Sequence, residues 1–379
     1  MIAVYRMTIN FKKYNIFNLF STFSRGMVEI FIPLYLYKIG FKITDILFYF
    51  LIMLLISAVI CIPLSYIGNK IKYKWLIFIS ATFFGLTYLI LFNIVVNQIA
   101  LCLLALCFSL YRRCYWIGKR YYELKIIPKH NMANNVSKVV IISQIATLSA
   151  SYIGALLLNN FSNFYILLIS VFIFIFSVIP LMTIKEQKSD EKISIDNSIL
   201  NQIPKKNIIL MILYEFIYIS SLVFPIYLYL YVNTNFEYIG LFSLFSGLSS
   251  MICIHLFSKK MDNDKCDYVF LSAFLLSITL LLKLNCTLTI AVLIIGLFEG
   301  IFSKIREVGH TRNIYFLGSH YNRASYNMLY EIIQNFSRLL AFLLILIFTR
   351  DLKVIIYICI AATFLSSFIR FDDGKDGYK

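Results

Sequence analysis

The sequence predicts an all-α membrane protein in which twelve transmembrane helices form two pseudo-symmetric six-helix bundles. Three observations support this fold class: an apolar composition, a regular succession of apolar segments, and an internal repeat at half the chain length. Of the 379 residues, 60% are hydrophobic and 14% are charged, and the mean hydropathy is +0.80. Soluble domains have about 45–50% apolar and about 25% charged residues. The composition therefore excludes a soluble globular protein.

Twelve apolar segments are long enough to cross a bilayer, which requires about 20 residues in a helix. We expect these helices, numbered 1 to 12 in chain order, at residues 14–37, 43–66, 75–96, 98–122, 136–158, 163–184, 207–231, 236–257, 268–286, 288–308, 324–349 and 353–370. One long polar segment, residues 185–206, lies at the centre of the chain and predicts a flexible linker. The predicted domains are a bundle over 1–184, this linker, and a bundle over 207–379.

The formal net charge of +16 comes from Lys and Arg residues that stand in short tracts between the apolar segments. A nucleic-acid-binding protein would gather them in one basic region, so we exclude nucleic acid as a partner. Most of them fall in loops that share a side with both termini and the linker, and the positive-inside rule places that side in the cytoplasm. We therefore expect a multi-pass, monomeric protein of the cytoplasmic (plasma) membrane, embedded in the lipid bilayer, with both termini cytoplasmic.

The eight cysteines contain no CxxC pair, and the four histidines contain no HxxxH pair. Metal sites usually draw their ligands from such closely spaced residues. Most of the cysteines lie in apolar segments, where the thiol behaves as a small hydrophobic group. We predict neither a metal nor another cofactor.

The two halves of the chain match each other when the sequence is shifted by about 190 residues. Predicted helix 1 contains PLYLY at residues 33–37, and predicted helix 7 contains PIYLY at residues 225–229. At the same shift, the basic tract around Lys70 meets Lys259 and Lys260. Matches in the same order around a central linker predict two homologous six-helix halves, an arrangement found in secondary transporters.

Charged residues inside the predicted membrane segments are concentrated on helices 1, 4, 7 and 10. A charge at the bilayer centre costs several kcal/mol, so such side chains should face a cavity or a partner. On three of these helices polar side chains recur at spacings of 4, 3 and 4, which places them on one face. They are Asn18, Thr22, Arg25 and Glu29 on helix 1, Arg112, Trp116, Lys119 and Glu123 on helix 4, and Glu299, Ser303, Arg306 and His310 on helix 10. A rise of about 1.5 Å per residue places Arg25, Glu29, Glu215 and Glu299 near the midplane.

Several of these features also have structural explanations. Arg25 and Glu29 stand four residues apart and can form an ion pair that only hides both charges. The basic side chains of residues 112–123 can extend from the helix end to the headgroups, and the Lys tracts can act only as topology determinants. Glu215 and Glu299 have no basic residue one turn away on their own helix, which favours a role as proton carriers in a cavity.

Four features together resemble the major facilitator superfamily: two six-helix halves, a long central loop, a basic tract between helices 2 and 3, and polar stripes on the first helix of each three-helix unit. The family's loop pattern G-x-x-x-D-[RK]-x-G-[RK]-[RK] is matched here at Lys70 and Lys74 alone. The Gly-Pro motif that drug antiporters carry in helix 5 is absent. The resemblance implies that helices 1, 4, 7 and 10 line a central cavity and that the two halves rock to give alternating access, often driven by protons.

The leading interpretation is a secondary active transporter, not an enzyme, that moves a small polar or amphipathic solute coupled to protons. The arginines favour an anionic group on that solute, because a guanidinium binds carboxylate or phosphate bidentately. The substrate-binding candidates are Arg25, Tyr35, Arg112, Arg113, Trp116, Gln144, Tyr218 and Gln334. The proton-coupling candidates are Glu29, Glu215, Glu299 and Glu331, and the gating candidates are Lys70, Lys74, Lys119, Glu123 and Arg306.

Two other functional classes share this length, charge and composition. One is a membrane-embedded enzyme of the polysaccharide polymerase or acyltransferase type, but such enzymes tend to carry a large outward loop or a His near the first span. Here the longest predicted loop is cytoplasmic, and predicted helix 1 contains no His. The other class is a transporter-like scaffold or sensor that moves nothing, which the incomplete loop pattern favours. Solute flux with and without a proton gradient distinguishes the three.

Overall fold

The computed structural model describes residues 2–127, 132–160, 163–184, 203–233, 236–263 and 267–371. Within these residues all regular secondary structure is helical, with thirteen α-helices and one 3-10 turn. This confirms the predicted all-α class. Most of the predicted linker, residues 185–206, lies outside the described residues.

The helices follow one another along the chain with short connections. The first seven are α1 (Ile2–Gly26), α2 (Ile32–Ile39), α3 (Ile43–Ile71), α4 (Tyr73–Phe92), α5 (Gln98–Ile126), α6 (Met132–Asn160) and α7 (Asn163–Met182), and the 3-10 turn (Glu29–Phe31) precedes α2. The remaining six are α8 (Lys205–Tyr231), α9 (Phe236–Asn263), α10 (Asp267–Asn285), α11 (Thr289–Gly318), α12 (Arg323–Phe348) and α13 (Leu352–Ser366). Because α1 and α2 together occupy predicted helix 1, every later label is one higher than the predicted number.

The first predicted helix is interrupted near its middle, where a continuous helix over 14–37 was expected. α1 ends at Gly26 and α2 begins at Ile32, with the 3-10 turn between them. The Val28 N–H donates to the carbonyl of Arg25, three residues back rather than four, at 3.1 Å. Pro33 lies in the first turn of α2, where its missing N–H costs nothing and its ring fixes a helical φ.

This interruption packs closely against α6. A Cβ atom at Gly154 would lie 2.4 Å from the Met27 carbonyl oxygen and 3.0 Å from Met27 Cα. A Cβ atom at Gly26 would lie 3.0 Å from the Ala150 side chain, on the same face of α6. Small residues allow the two backbones to approach, as at many membrane helix interfaces. The interruption is therefore held in place by its neighbour.

Seven of the described helices are long and apolar enough to cross a membrane, namely α3, α4, α5, α6, α8, α10 and α12. The apolar stretches within α7, α9 and α13 are shorter. α11 is 30 residues long, but Glu299, Lys304, Arg306 and Glu307 interrupt its apolar sequence. A long helix with several internal charges is a natural place for functional groups, since each of these charges needs a partner.

The chain forms two compact units. The first unit comprises Met1–Ile127, Ile142–Ile193 and Asn322–Asn335, and the second comprises Pro128–Ile141, Ser194–Tyr321 and Phe336–Lys379. In the first unit α5 packs against α3 and α4, and α7 packs against α1 and α4. In the second unit α11 packs against α9 and α10, and α13 packs against α8 and α10. The predicted bundle boundaries, 1–184 and 207–379, stay a prediction.

Aromatic side chains fill the interior of the first unit. The Phe84 ring stacks on Phe174 at 4.8 Å and meets the edge of Tyr111 at 4.9 Å. In the second unit, a Cβ atom at Gly300 would lie 1.9 Å from the Ser246 carbonyl oxygen, so α11 and α9 are in backbone contact there. Large apolar side chains also cover the outer surfaces, where they suit a lipid environment. Among them are Val59, Phe172, Ile252, Ile347 and Phe348.

Candidate functional site

An ion pair spans the interruption between α1 and α2 in the first unit. Arg25 Nε lies 2.8 Å from Glu29 Oε1, and Arg25 Nη2 lies 3.2 Å from Glu29 Oε2, so the pair is bidentate. Both side chains are largely buried. From the sequence, these two residues could be either site residues or an ion pair that hides both charges. The structure brings the two groups into direct contact.

Aromatic side chains of α5 surround the ion pair. The Tyr111 hydroxyl donates to Glu29 Oε1 at 2.5 Å. The guanidinium of Arg25 lies 4.5 Å from the ring centroid of Tyr115 and 4.9 Å from that of Trp116. A cation that is both paired with a carboxylate and stacked on aromatic rings is held in one orientation.

A second polar cluster lies one to two turns further along α5. Lys119 Nζ is 4.0 Å from Glu123 Oε1 and 4.9 Å from the centroid of Trp116. The Tyr14 hydroxyl of α1 donates to the same Glu123 carboxylate. The predicted gating residues Lys119 and Glu123 therefore lie together, next to the predicted substrate-binding residue Trp116.

A buried network in the first unit joins α5 to the beginning of α12. Arg113 Nη1 donates to Glu331 Oε2 at 2.9 Å and to Asn335 Oδ1 at 2.6 Å. Arg120 donates to the other oxygen of the same carboxylate and to Gln334 Oε1, the latter at 3.1 Å. Two guanidinium groups thus share one carboxylate, and Glu331 is fully buried. Arg120 was not among the predicted residues, although its spacing of seven from Arg113 marks the same face of α5.

In the second unit, Glu215 of α8 pairs with Arg338 of α12. Arg338 Nε lies 2.6 Å from Glu215 Oε2, and the guanidinium stacks 3.8 Å from the centroid of Tyr218. Glu215 and Tyr218 were predicted site residues, and the structure supplies a basic partner for the carboxylate. That partner is on another helix, so no spacing along α8 could have identified it.

The other predicted proton carrier of this unit, Glu299, also has an interhelical partner. Lys283 Nζ of α10 lies 2.5 Å from Glu299 Oε2. The ammonium group also lies 3.2 Å from the centroid of Phe224 and is almost completely buried. Lys283 stands near the end of its predicted helix, where a Lys is usually assumed to extend to the headgroups.

Arg306, a predicted gating residue, belongs to the second unit, whereas the other gating candidates belong to the first. Its Nη2 donates to Ser366 Oγ at 2.8 Å, and its guanidinium lies 5.0 Å from the centroid of Tyr214. The same Tyr214 ring stacks on His310 at 3.8 Å. Arg306 is thus buried among α8, α11 and α13 of the second unit.

The remaining predicted residues occupy separate positions. Tyr35 of α2 meets the edge of Phe92 at 5.3 Å. Lys74 Nζ lies 3.4 Å from the Met182 carbonyl oxygen, whereas Lys70 is exposed. The other two are the partly buried Arg112, whose guanidinium lies 5.5 Å from the Phe108 centroid, and the partly buried Gln144 of α6. Within the residues described, no group of three His, Cys, Asp or Glu side chains could hold a metal ion.

Comparison with known proteins gives one family and one kind of fold. The family model of the Major Facilitator Superfamily matches residues 15–342. Two similar solved structures are the fucose:proton symporter FucP of E. coli, as a point variant, and FucP in the outward conformation, described as a Major Facilitator Superfamily transporter. The first has a TM-score of 0.67, 12% identity, and coverage of 96% of this chain and 98% of that chain. The second has a TM-score of 0.64, 12% identity, and coverage of 96% and 99%. No curated protein sequence matches the chain significantly.

Proposed function

Because the chain belongs to the major facilitator superfamily, with its twelve-helix fold, we propose that this secondary transporter moves a small polar or amphipathic solute with an anionic group, together with protons. Members of the family are typically transporters rather than enzymes. The finer assignments, which are the anionic group, the proton and the residues that bind them, rest on the arrangement of side chains within each unit.

The ion pair at the interruption of α1 and α2 carries the proposal. Arg25 and Glu29 lie in predicted membrane helix 1, where charged groups are costly and usually functional. Interrupted helices are also where transporters place their binding sites. The guanidinium presents a planar pair of donors, and a solute carboxylate or phosphate can take the place of Glu29 on it. Tyr115 and Trp116 supply flat apolar surfaces for the rest of the solute.

Displacement of Glu29 explains how a proton would be coupled to the solute. Once the solute occupies Arg25, Glu29 loses the counter-ion to which it is hydrogen-bonded in a low-dielectric site and keeps only the Tyr111 hydroxyl among its present hydrogen-bond donors. Burial without a counter-ion favours the neutral carboxyl group. Anion and proton therefore bind together, which is symport. Glu215, Glu299 and Glu331 remain proton-coupling candidates, because each is paired with a basic side chain and could take up a proton if that pair separated.

Two further assignments belong to this proposal. We assign gating to the clusters at Lys119 and Glu123 and at Arg113 and Glu331, because such pairs can break and re-form as the transporter changes state. We place the chain in the plasma membrane as a monomer with cytoplasmic termini, following the distribution of basic loops. Reporter fusions in the linker and at the C-terminus test the orientation, since both should report the cytoplasmic side.

The test uses the full-length chain in liposomes that contain a pH-sensitive dye. A panel of membrane-impermeant organic acids and sugar phosphates is added outside, and for the transported solute we expect acidification of the lumen. Glu29→Gln should abolish acidification but retain counterflow of labelled solute, because the amide mimics the protonated carboxyl group. Arg25→Gln should lose both signals at least tenfold, which corresponds to about 1.4 kcal/mol or more.

Glu307→Gln is the matched control, because Glu307 belongs to a partly exposed pair with Lys304. This variant should transport at the wild-type rate. Acidification that persists in Glu29→Gln, or transport that survives in Arg25→Gln, contradicts the proposed site.

A neutral hydroxylated solute is a second candidate, favoured by one observation. Glu29 already neutralises Arg25 at hydrogen-bond distance, beside the Tyr and Trp rings, and such a paired site suits a sugar as well as an anion. The similar structures are those of a fucose:proton symporter. Fucose is therefore included in the panel, and acidification by fucose without any response to the acids would select this alternative.

A further inference from the structure

Arg306 differs from the other buried arginines of the described chain in its surroundings. Its side chain is 2% exposed, and its Nη1 atom has no hydrogen-bond partner. The hydroxyl of Ser366 is its one hydrogen-bond acceptor among the described residues. No carboxylate of those residues lies within 4.0 Å of its guanidinium.

Four other largely buried arginines of the described helices do have such a partner. Arg25, Arg113, Arg120 and Arg338 each contact a carboxylate directly. The Glu215 carboxylate also attracts Arg306, but it is hydrogen-bonded to Arg338. A buried cation without a counter-ion of its own is unfavourable in a membrane protein, and such a residue is by default a candidate functional group. The C-terminus of α13, where Ser366 lies, offers only the partial negative charge of a helix end. A further anionic group is therefore expected to complete the neutralisation of Arg306.

The neighbours of Arg306 on α11 indicate the chemistry of the group that would bind it. His310 and Asn313 follow at spacings of four and seven, so the three side chains share one face. The Nδ2 atom of Asn313 is also buried without a hydrogen-bond partner, about 10 Å further along the helix. A single phosphate or carboxylate group cannot reach both donors at that separation, but the guanidinium of Arg306 alone suits a ligand that supplies oxygen atoms and negative charge. The rings of His310 and Tyr214, stacked at 3.8 Å, form an aromatic wall beside it.

We propose that Arg306 forms an oxyanion-binding site within the second unit, distinct from the Arg25–Glu29 pair. The oxyanion, a phosphate or carboxylate group, accepts hydrogen bonds from the guanidinium of Arg306, including its unpartnered Nη1. The donors are covered in this structure, so the ligand enters when α8, α11 and α13 separate locally. The site does not depend on which solute is transported, and its ligand is either a soluble anion or an anionic lipid headgroup.

Thermal unfolding of the full-length chain, purified in a neutral detergent and an anion-poor buffer, tests the site. One arm titrates inorganic phosphate against sodium chloride at equal ionic strength, and the other adds phosphatidylglycerol against phosphatidylcholine. We expect a saturable rise in Tm with phosphate or with phosphatidylglycerol. A response to phosphate identifies a soluble ligand, and a response to phosphatidylglycerol alone identifies a headgroup. A Tm that responds to neither overturns the proposal.

The variants make the test specific to these donors. Arg306→Gln should weaken the response at least tenfold in apparent Kd, and Arg306→Lys should weaken it less. Lys304→Gln is the matched control on the same helix, because Lys304 already has Glu307 as a partner, and it should respond as the wild type does. An equal response in wild type and Arg306→Gln overturns the proposal.

The stability without added anion provides a second readout. Removing an uncompensated buried charge should leave the Tm of Arg306→Gln equal to or above that of the wild type. Arg338→Gln, which removes the partner of buried Glu215, should lower it. If Arg306→Gln lowers the Tm as far as Arg338→Gln does, Arg306 is neutralised from within the protein, and the site as proposed is wrong.

Discussion

The carboxylates of Glu215 and Glu299, in the second unit, each have a basic partner on a different helix. Glu215 meets Arg338 across 123 positions of sequence, and Glu299 meets Lys283 across 16. Loss of one member of a buried pair typically costs about 3–5 kcal/mol, because the other charge is left without compensation. Loss of both members is often nearly neutral. Single and double variants of these pairs therefore distinguish the free-energy cost of leaving one charge unpaired from the net contribution of the pair to stability.

Lys283→Met should destabilise the protein by about 3 kcal/mol. The methionine fills the same space beside Phe224, but Glu299 keeps its charge with no described partner. The double variant Lys283→Met, Glu299→Gln should recover most of the loss. Thermal unfolding of the two single variants and the double variant in detergent forms a double-mutant cycle that measures both quantities.

Lys304→Met is the control for this cycle, because the Lys304–Glu307 pair is partly exposed. A partly exposed pair contributes about 0–1 kcal/mol. If Lys283→Met and Lys304→Met lower the Tm equally, Glu299 is solvated and the pair is not an energetic unit.

At the scale of helices, the interruption between α1 and α2 depends on the absence of a side chain on α6. A Cβ atom at Gly154 meets the backbone of Met27 at 2.4 Å, and a backbone cannot rotate away as a side chain can. Gly154→Ala should therefore push α1 away from α6 and destabilise the protein by about 1–3 kcal/mol. Because Arg25 and Glu29 flank the interruption, we also expect transport to fall. Thermal unfolding and the liposome assay measure the two effects.

Gly85→Ala on α4 is the matched control. Its Cβ atom would meet Val171 at 3.7 Å, which is ordinary van der Waals contact. Alanine favours a helix over glycine by about 1 kcal/mol, so this variant should be as stable as the wild type or more so. If Gly154→Ala behaves like Gly85→Ala, the helices tolerate the extra volume and the interruption has another cause.

Hydropathy was sufficient to predict the helices but not this interruption. The segment around Met27 and Val28 is as apolar as its neighbours, so a hydropathy window gives no sign that the backbone changes course. The Arg25–Glu29 pair was predictable because both groups lie one turn apart on one element. Lys283 and Arg338 were not predicted as partners, because their positions depend on how separate helices pack. Predicted helix 10 ended at residue 308, but α11 continues to Gly318. The added segment is polar, so a search for apolar windows does not include it.

At the scale of the whole molecule, two helices contribute to both compact units. The first part of α12, up to Asn335, belongs to the first unit, and the part from Phe336 belongs to the second. The first part is held by the Arg113 and Arg120 network around Glu331 and by Asn327, whose Nδ2 donates to the Ile117 carbonyl at 3.1 Å. This network therefore fixes the first part of α12 to α5 within the first unit.

Glu331→Gln should release the first part of α12 from α5. The two guanidinium groups of Arg113 and Arg120 would remain buried without the carboxylate they share, at a cost of about 3 kcal/mol, so local opening should become about 100-fold more frequent. Hydrogen–deuterium exchange followed by mass spectrometry should show this as a loss of protection over residues 323–335. Glu307→Gln, from the partly exposed pair on α11, should leave that segment protected. Unchanged exchange in Glu331→Gln would mean that apolar packing, not the charged network, holds α12 to the first unit.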